Sequence, residues 1–404
     1  MCHDSSLGEL VPVKLLIAIP ALNEEGSIER IIERCLQARR TIVDTSPVTQ
    51  VEITVVSDGS TDRTVELAAP FNDRVKLIVF PRNRGYGAAI KEAWAQSDAD
   101  LLGFLDADGT CEPEFFAELV KALKAHEADV ALGCRLNRSS RMPWMRRIGN
   151  VIFASMLSVL SSSRVRDSAS GMRVVRRSCL PDLLPLPDGL HFTPAMSARA
   201  MLNNTLRIIE IDMSYHEREG RSKLRTARDG LRFTKAILDA ALLYRPARPL
   251  AILGLVWLAV AVALMLTPTA HYLRHRNVQE WMIYRFVVSH LAGTLAGMLL
   301  CSSYLTGRMV AIALNKSGRS VLDFFFASRL VWAVPPLLLV GGGLLVLPSF
   351  IELVRTGSTY EHWSRFIAMS FCWVLASMIA VTGVIDYVLG LLSAQLAHKT
   401  KAAE

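Results

Sequence analysis

LLGFLDADGT, residues 101–110, runs four apolar residues and a glycine into Asp106 and Asp108, with Gly109 directly after them. The pattern predicts a buried strand that stops at its carboxyl end and leaves two carboxylates side by side. Ligands of open α/β sheets sit at such strand ends. Two carboxylates one residue apart repel each other, so this spacing calls for a cation between them. Mg²⁺ favours one or two carboxylates together with phosphate oxygens. Asp-x-Asp alone is also an ordinary solvated turn, and its neighbours decide between the readings.

Working outward, residues 14–20 (KLLIAIP) form a short apolar run closed by proline, and residues 51–57 (VEITVVS) and 75–80 are further strand candidates. Ser27 is a candidate cap for a helix in which Ile28, Ile31, Ile32, Cys35 and Leu36 recur at helical spacing. Helices are also predicted through Trp94 and over residues 114–125, with another strand at 129–133. Strand and helix in alternation argue for a mostly parallel sheet with helices on both faces. The loops after the four strands would then gather on one edge: Pro20-Ala21-Leu22-Asn23-Glu24, Asp58-Gly59-Ser60, Asn83-Arg84-Gly85-Tyr86-Gly87 and Asp106-Ala107-Asp108-Gly109-Thr110.

The 404 residues are 51% hydrophobic, and the apolar excess lies almost wholly after Pro249. Four stretches near 250–266, 286–314, 330–350 and 366–391 approach or exceed the ~20 apolar residues that cross a bilayer. The expected organisation is a cytosolic domain over residues 1–225, a juxtamembrane amphipathic helix over 226–248, four spans within 249–392 and a tail over 393–404. Residues 142–160 read as a helix in the membrane interface, with Arg146, Arg147 and Asn150 in its first half. Residues 1–13 hold Asp4 and Glu9 and no signal-peptide pattern, and the weak excess of Lys and Arg puts both termini inside. Gly293 and Gly297 form a GxxxG that lets helices approach closely, within one chain or between two copies. Asp386 reads as an interfacial residue or a functional buried acid. Seven scattered cysteines without a Cys-x-x-Cys pair fit a reducing compartment. The net charge of +8 suits anionic headgroups or phosphates, and no nucleic-acid motif is present.

The four loops, in this order, resemble those of family-2 glycosyltransferases of the GT-A fold, a Rossmann-like, mostly parallel α/β domain. Asp167-Ser168-Ala169-Ser170-Gly171-Met172-Arg173 is similar to the D-x-x-S-G-F-R segment of dolichol-phosphate mannose synthases and related polyprenyl-phosphate hexose transferases. Arg218-Glu219-Gly220-Arg221-Ser222-Lys223 is similar to that group's R-x-x-G-x-S-K. By this resemblance Pro20, Ala21, Asn23 and Glu24 line the nucleotide, and Asp58 accepts a hydrogen bond from the base. Asp106 and Asp108, flanking Ala107, hold Mg²⁺ or Mn²⁺ on the diphosphate of a nucleotide sugar. Thr110 stands where the family often has glutamine.

A sugar hydroxyl acceptor needs a general base, whereas a lipid monophosphate is already an anion and needs guanidinium and ammonium groups. Arg135, Arg173, Arg218 and Lys223 are the candidates for the donor and acceptor phosphates, from a basic set that also includes Arg164, Arg166 and Arg221. Asp167 would orient an arginine or act as a base, and His216 reads as structural. The expectation is an inverting, metal-dependent transfer of a hexose from GDP-mannose or UDP-glucose, or a relative, to polyprenyl phosphate at the cytosolic face of a bilayer. A processive polysaccharide synthase is the nearest rival, although its Q-x-x-R-W helix is missing. A membrane carrier with a nucleotide-binding domain is the rival from another class.

Overall fold

A computed structural model describes residues 12–137, 144–161, 163–216, 226–314, 321–326, 328, 330–358 and 362–403. The chain divides into two units, Met1–Ala241 and Leu242–Glu404.

The first unit is built on a seven-stranded sheet of order β3-β2-β1-β4-β6-β5-β7. Its strands are β1 (Lys14–Ala21), β2 (Gln50–Ser57), β3 (Lys76–Val79), β4 (Leu101–Phe104), β5 (Val130–Cys134), β6 (Arg173–Arg176) and β7 (Ile208–Asp212). Strands β1 to β4 run parallel, and β5 is parallel to β7; β6 lies antiparallel between β4 and β5. The α/β class and the mostly parallel sheet expected from the alternation are thus observed. Strands β6 and β7 were not anticipated.

Side chains alternate across a strand, and β1 divides its residues accordingly. Leu15, Ile17 and Ile19 pack with the helices Ile28–Thr45 and Phe116–Ala125. Leu16 and Ala18 pack with the helices Tyr86–Ala95 and Phe192–Leu202. Helices therefore cover both faces, which is why β1 is apolar from Leu15 to Ala21. Ser27 does stand at the N-cap of Ile28–Thr45, but its side chain makes no capping hydrogen bond.

Two more helices lie wholly or mostly within this unit. Trp144–Leu160 buries Ala154, Leu157 and Leu160 and leaves Trp144, Ile148, Val151, Ile152 and Val159 exposed. Thr226–Tyr244 falls within the 226–248 stretch expected to be helical, and its Phe233 stacks edge-on against Phe153 at 5.6 Å.

Among the described residues of the second unit four helices are long and apolar enough to cross a membrane: Ala247–His275, Glu280–Ala313, Val331–Thr356 and Trp363–Gln395. The first is longer than its expected apolar core and carries Pro268 inside it. Ser289 Oγ donates to the Ala261 carbonyl and Ser303 Oγ to that of Ala247, tying the first two helices antiparallel. A Cβ on Gly293 would lie 2.8 Å from the Phe371 ring, and one on Gly297 3.4 Å from Leu375. These glycines admit the fourth helix of the same chain. Asp386 accepts a 3.0 Å hydrogen bond from Arg308 Nε on the second helix.

Candidate active site

The carboxyl ends of β1 to β4 meet because the strands are parallel and in register, with Ala21 opposite Ser57 and Ala18 opposite Phe104. The loop after β1 is stitched to the loop after β2. Asn23 N–H donates to Ser60 Oγ at 3.1 Å, Asn23 Oδ1 accepts from Thr61 N–H at 2.8 Å, and Glu24 N–H donates to Thr64 Oγ1 at 2.8 Å. Asn23 has a φ of 51°, in the left-handed region that asparagine tolerates better than most residues.

Asp58 begins the next link. Its amide donates to Ala21 O at 2.8 Å. Its carboxylate accepts the Arg84 amide at 2.6 Å and the Gly85 amide at 2.9 Å. The group is buried, which pushes its pKa up, although the two amides pull the other way. Gly85 is required here: its φ is +112°, and a Cβ would run into the Asp188 carbonyl.

The residue after Gly85 reaches the acids themselves. Tyr86 OH donates to Asp106 Oδ1 at 2.6 Å. Burial and the neighbouring Asp106 charge both raise the phenol's pKa, so it remains a donor through the neutral range. On the far side of Asp106 a Cβ at Gly171 would collide with Oδ2. That explains the glycine in the Asp167–Arg173 segment by space alone. Asp108 is buried and its Oδ1 accepts from the Thr110 hydroxyl at 2.7 Å and the Thr110 amide at 3.2 Å. Gly109 turns the chain at φ +72°, and a Cβ there would lie 3.0 Å from Arg30 Nη2. Sequence reasoning missed Tyr86 as a partner of Asp106 and Arg30 as a neighbour of Gly109. The only advance signal for Tyr86 was its place at the start of a helix in one of the four loops.

Arg135 and Asp167 form a bidentate pair, Nε to Oδ2 at 2.7 Å and Nη2 to Oδ1 at 2.9 Å, with the Arg135 amide on Oδ2 at 3.1 Å. Arg135 also lies over the Tyr215 ring at 5.6 Å. Burial would raise the Asp167 pKa, but Arg135 holds it below the usual carboxylate range. Asn150, from the helix Trp144–Leu160, donates to Asp167 Oδ1 at 3.3 Å. In this arrangement the Asp167 carboxylate is paired with the Arg135 guanidinium.

Arg173 requires a correction. It was expected at an acceptor phosphate, yet it is fully buried, with Nε on Ser170 O, Nη1 on Ser197 Oγ and Nη2 on Ser168 O at 2.8–3.0 Å. Burial pushes its pKa down to about 10. The guanidinium fastens the segment before β6 to the helix Phe192–Leu202 and is not presented to solvent. Arg218 and Lys223 lie outside the described residues. Arg164 is exposed, and Arg166 is paired with Glu210 and Asp212. His216 Nε2 is 2.8 Å from Glu112 Oε1, and its amide donates to Thr110 O.

Among the described residues no three His, Cys, Asp or Glu side chains converge as metal ligands. Asp106 and Asp108 are nevertheless hard oxygen donors of the kind Mg²⁺ and Mn²⁺ take, and such ions commonly complete their shell with phosphate oxygens and water. The donor set fits an ion shared with a diphosphate.

The sequence matches the family described as glycosyl transferase family 2 across residues 16–184. It is 32% identical over 254 residues to a low-salt glycan biosynthesis hexosyltransferase (Agl6) of Haloferax volcanii, covering 61% of this chain and 59% of that protein. It is 29% identical over 235 residues to a dolichyl-phosphate hexose transferase of the same organism, covering 56% of this chain and 94% of the relative. An uncharacterized glycosyltransferase of Mycobacterium bovis is 30% identical over 209 residues, 50% of this chain and 86% of the relative. The chain thus spans under two thirds of the length of the first of these and most of the other two. Among solved structures, glucosyl-3-phosphoglycerate synthase from Mycobacterium tuberculosis, in complex with Mn²⁺, UDP-glucose and phosphoglyceric acid, aligns with a TM-score of 0.46 and 21% identity, covering 57% of this chain and 80% of that one.

Proposed function

Because the chain belongs to glycosyl transferase family 2, we propose that it transfers a hexose from a nucleotide sugar to a polyprenyl phosphate. The bonded line from Asp58 through the Arg84 and Gly85 amides and the Tyr86 phenol to Asp106 carries this reading. In this reading a nucleotide lies along that line, with its base at Asp58 and its diphosphate at Asp106 and Asp108. A relative that transfers hexose to dolichyl phosphate supports the lipid acceptor.

In this reading Pro20, Ala21, Asn23 and Glu24 line the nucleotide, and Asp58 accepts from the base with a lone pair left beside its two amide bonds. Asp106 and Asp108 hold Mg²⁺ or Mn²⁺, and a divalent ion bound there stabilises the charge of the departing nucleoside diphosphate. Thr110 orients Asp108. Arg135, fixed by Asp167, faces phosphate oxygens, and Arg218 and Lys223 supply further positive charge. The lipid phosphate oxygen attacks the anomeric carbon directly, with inversion and without a general base. The donor is of the GDP-mannose or UDP-glucose type. The α/β unit lies on the cytosolic side, with four spans and both termini inside.

Membranes containing the protein, incubated with radiolabelled sugar nucleotides and polyprenyl phosphate, test this directly. Label in a short glycolipid is expected. Label in a polymer would point to a processive synthase, and no label to a carrier. Asp108→Ala should lower transfer by at least a thousandfold (~4 kcal/mol of transition-state stabilisation) while the protein still folds.

A further inference from the structure

Tyr86 is held from three directions before it meets Asp106. The Gly87 and Ala88 amides at the start of its helix both donate to the Asp188 carbonyl, at 2.6 and 3.1 Å. The preceding Gly85 amide is bound to Asp58. The ring stands edge-on to Phe104 and Phe192, with centroids 6.4 and 6.5 Å away. The ring packs between these two rings, and its hydroxyl donates to Asp106 Oδ1. Gly171 closes the opposite side of the same carboxylate. Asp106 is therefore held in one orientation by a donor at one oxygen and backbone at the other.

We propose that Tyr86 is a positioning residue for Asp106, and that its phenol sets the protein's affinity for the divalent ion bound with the nucleotide. The inference rests on the metal role given to Asp106 above. A carboxylate free to rotate must be ordered when the ion arrives; one already fixed by a neutral donor is not. Outer partners of this kind are commonly worth 10–100-fold in metal affinity. Had Tyr86 only filled space between Phe104 and Phe192, its hydroxyl would be dispensable.

The test uses the full chain in detergent or nanodiscs, with Mn²⁺ as the probe and UDP or GDP present. Free Mn²⁺ is read from its electron paramagnetic resonance signal, independently of turnover. Tyr86→Phe keeps the ring and should weaken Mn²⁺ binding about tenfold, with metal-free nucleotide affinity and Tm unchanged. Added to Asp106→Asn, the same substitution should weaken Mn²⁺ no further. Mn²⁺ affinity within twofold of the parent, an equal loss in the Asp106→Asn background, or a fall in Tm without a change in Mn²⁺ affinity would each overturn the proposal. So would a parent protein that takes up no Mn²⁺ at all. A parent that binds Mn²⁺ but transfers nothing to polyprenyl phosphate would sink the acceptor reading and leave this inference standing.

Discussion

At the scale of single residues, the acids depend on neighbours with no charge. Thr110 gives its hydroxyl to Asp108, so Thr110→Val keeps the volume and removes one donor from a buried carboxylate. We expect metal–nucleotide affinity to fall about tenfold, measured by titration calorimetry, with Tm lowered by only a few degrees. Gly171→Ala should be worse, because the new methyl group needs the space that Asp106 Oδ2 occupies. Transfer should be lost in that variant, and nucleotide binding without metal should survive. Asp167 sets a different kind of limit. Its folded-state pKa is depressed by Arg135, so it stabilises the fold at pH above the ordinary carboxylate value of about 3.9. That contribution disappears as pH falls below this value through the depressed one. Asp167→Asn should therefore lower Tm most near neutral pH and least in acid, as differential scanning calorimetry across pH would read. Breaking a buried pair of this kind costs about 3–5 kcal/mol.

At the scale of elements, the strands flanked by helices were legible, because apolar runs ending in Gly, Asp or Pro carry their own boundaries. Lys14–Ala21, Gln50–Ser57 and Leu101–Phe104 could be read in this way. Arg173–Arg176 could not: four residues with an arginine at each end show no apolar run, and their partners lie on β4 and β5, far away in sequence. The site was legible in the same uneven way. Asp58, Asp106 and Asp108 stand out as acids at strand ends. The Tyr86 contact crosses 20 residues and the Gly171 contact 65, and no local pattern encodes either. Arg173 misled because a basic residue in a motif suggests a ligand, when burial had turned it into a brace. Among the described residues the helix Trp144–Leu160 keeps an exposed apolar face, with Trp144 71% exposed. If that face rests in lipid, brominated phospholipid should quench Trp144 together with span tryptophans such as Trp257 and Trp332, and Trp144→Phe should remove only the Trp144 share. Equal quenching in parent and variant would count against an interfacial helix.

At the scale of the whole molecule, the even number of long apolar helices among the described residues predicts that residues 246 and 396, which flank them, share one side of the membrane. A fluorescent protein fused after residue 404 should mature inside the cell, and cysteines introduced near residues 277 and 358 should react with an impermeant maleimide from outside. The opposite labelling would reverse the orientation. The antiparallel strand in the middle of the sheet has a consequence for how the protein is made. All three leading acids are synthesised by residue 108, but β4 acquires its second neighbour only when residues 173–176 arrive. Those residues begin two places after Gly171, the glycine that walls in Asp106. A nascent chain halted on the ribosome before that point would carry an open sheet edge and a half-built ion cradle, so the fold and its chemistry are completed by the same late stretch.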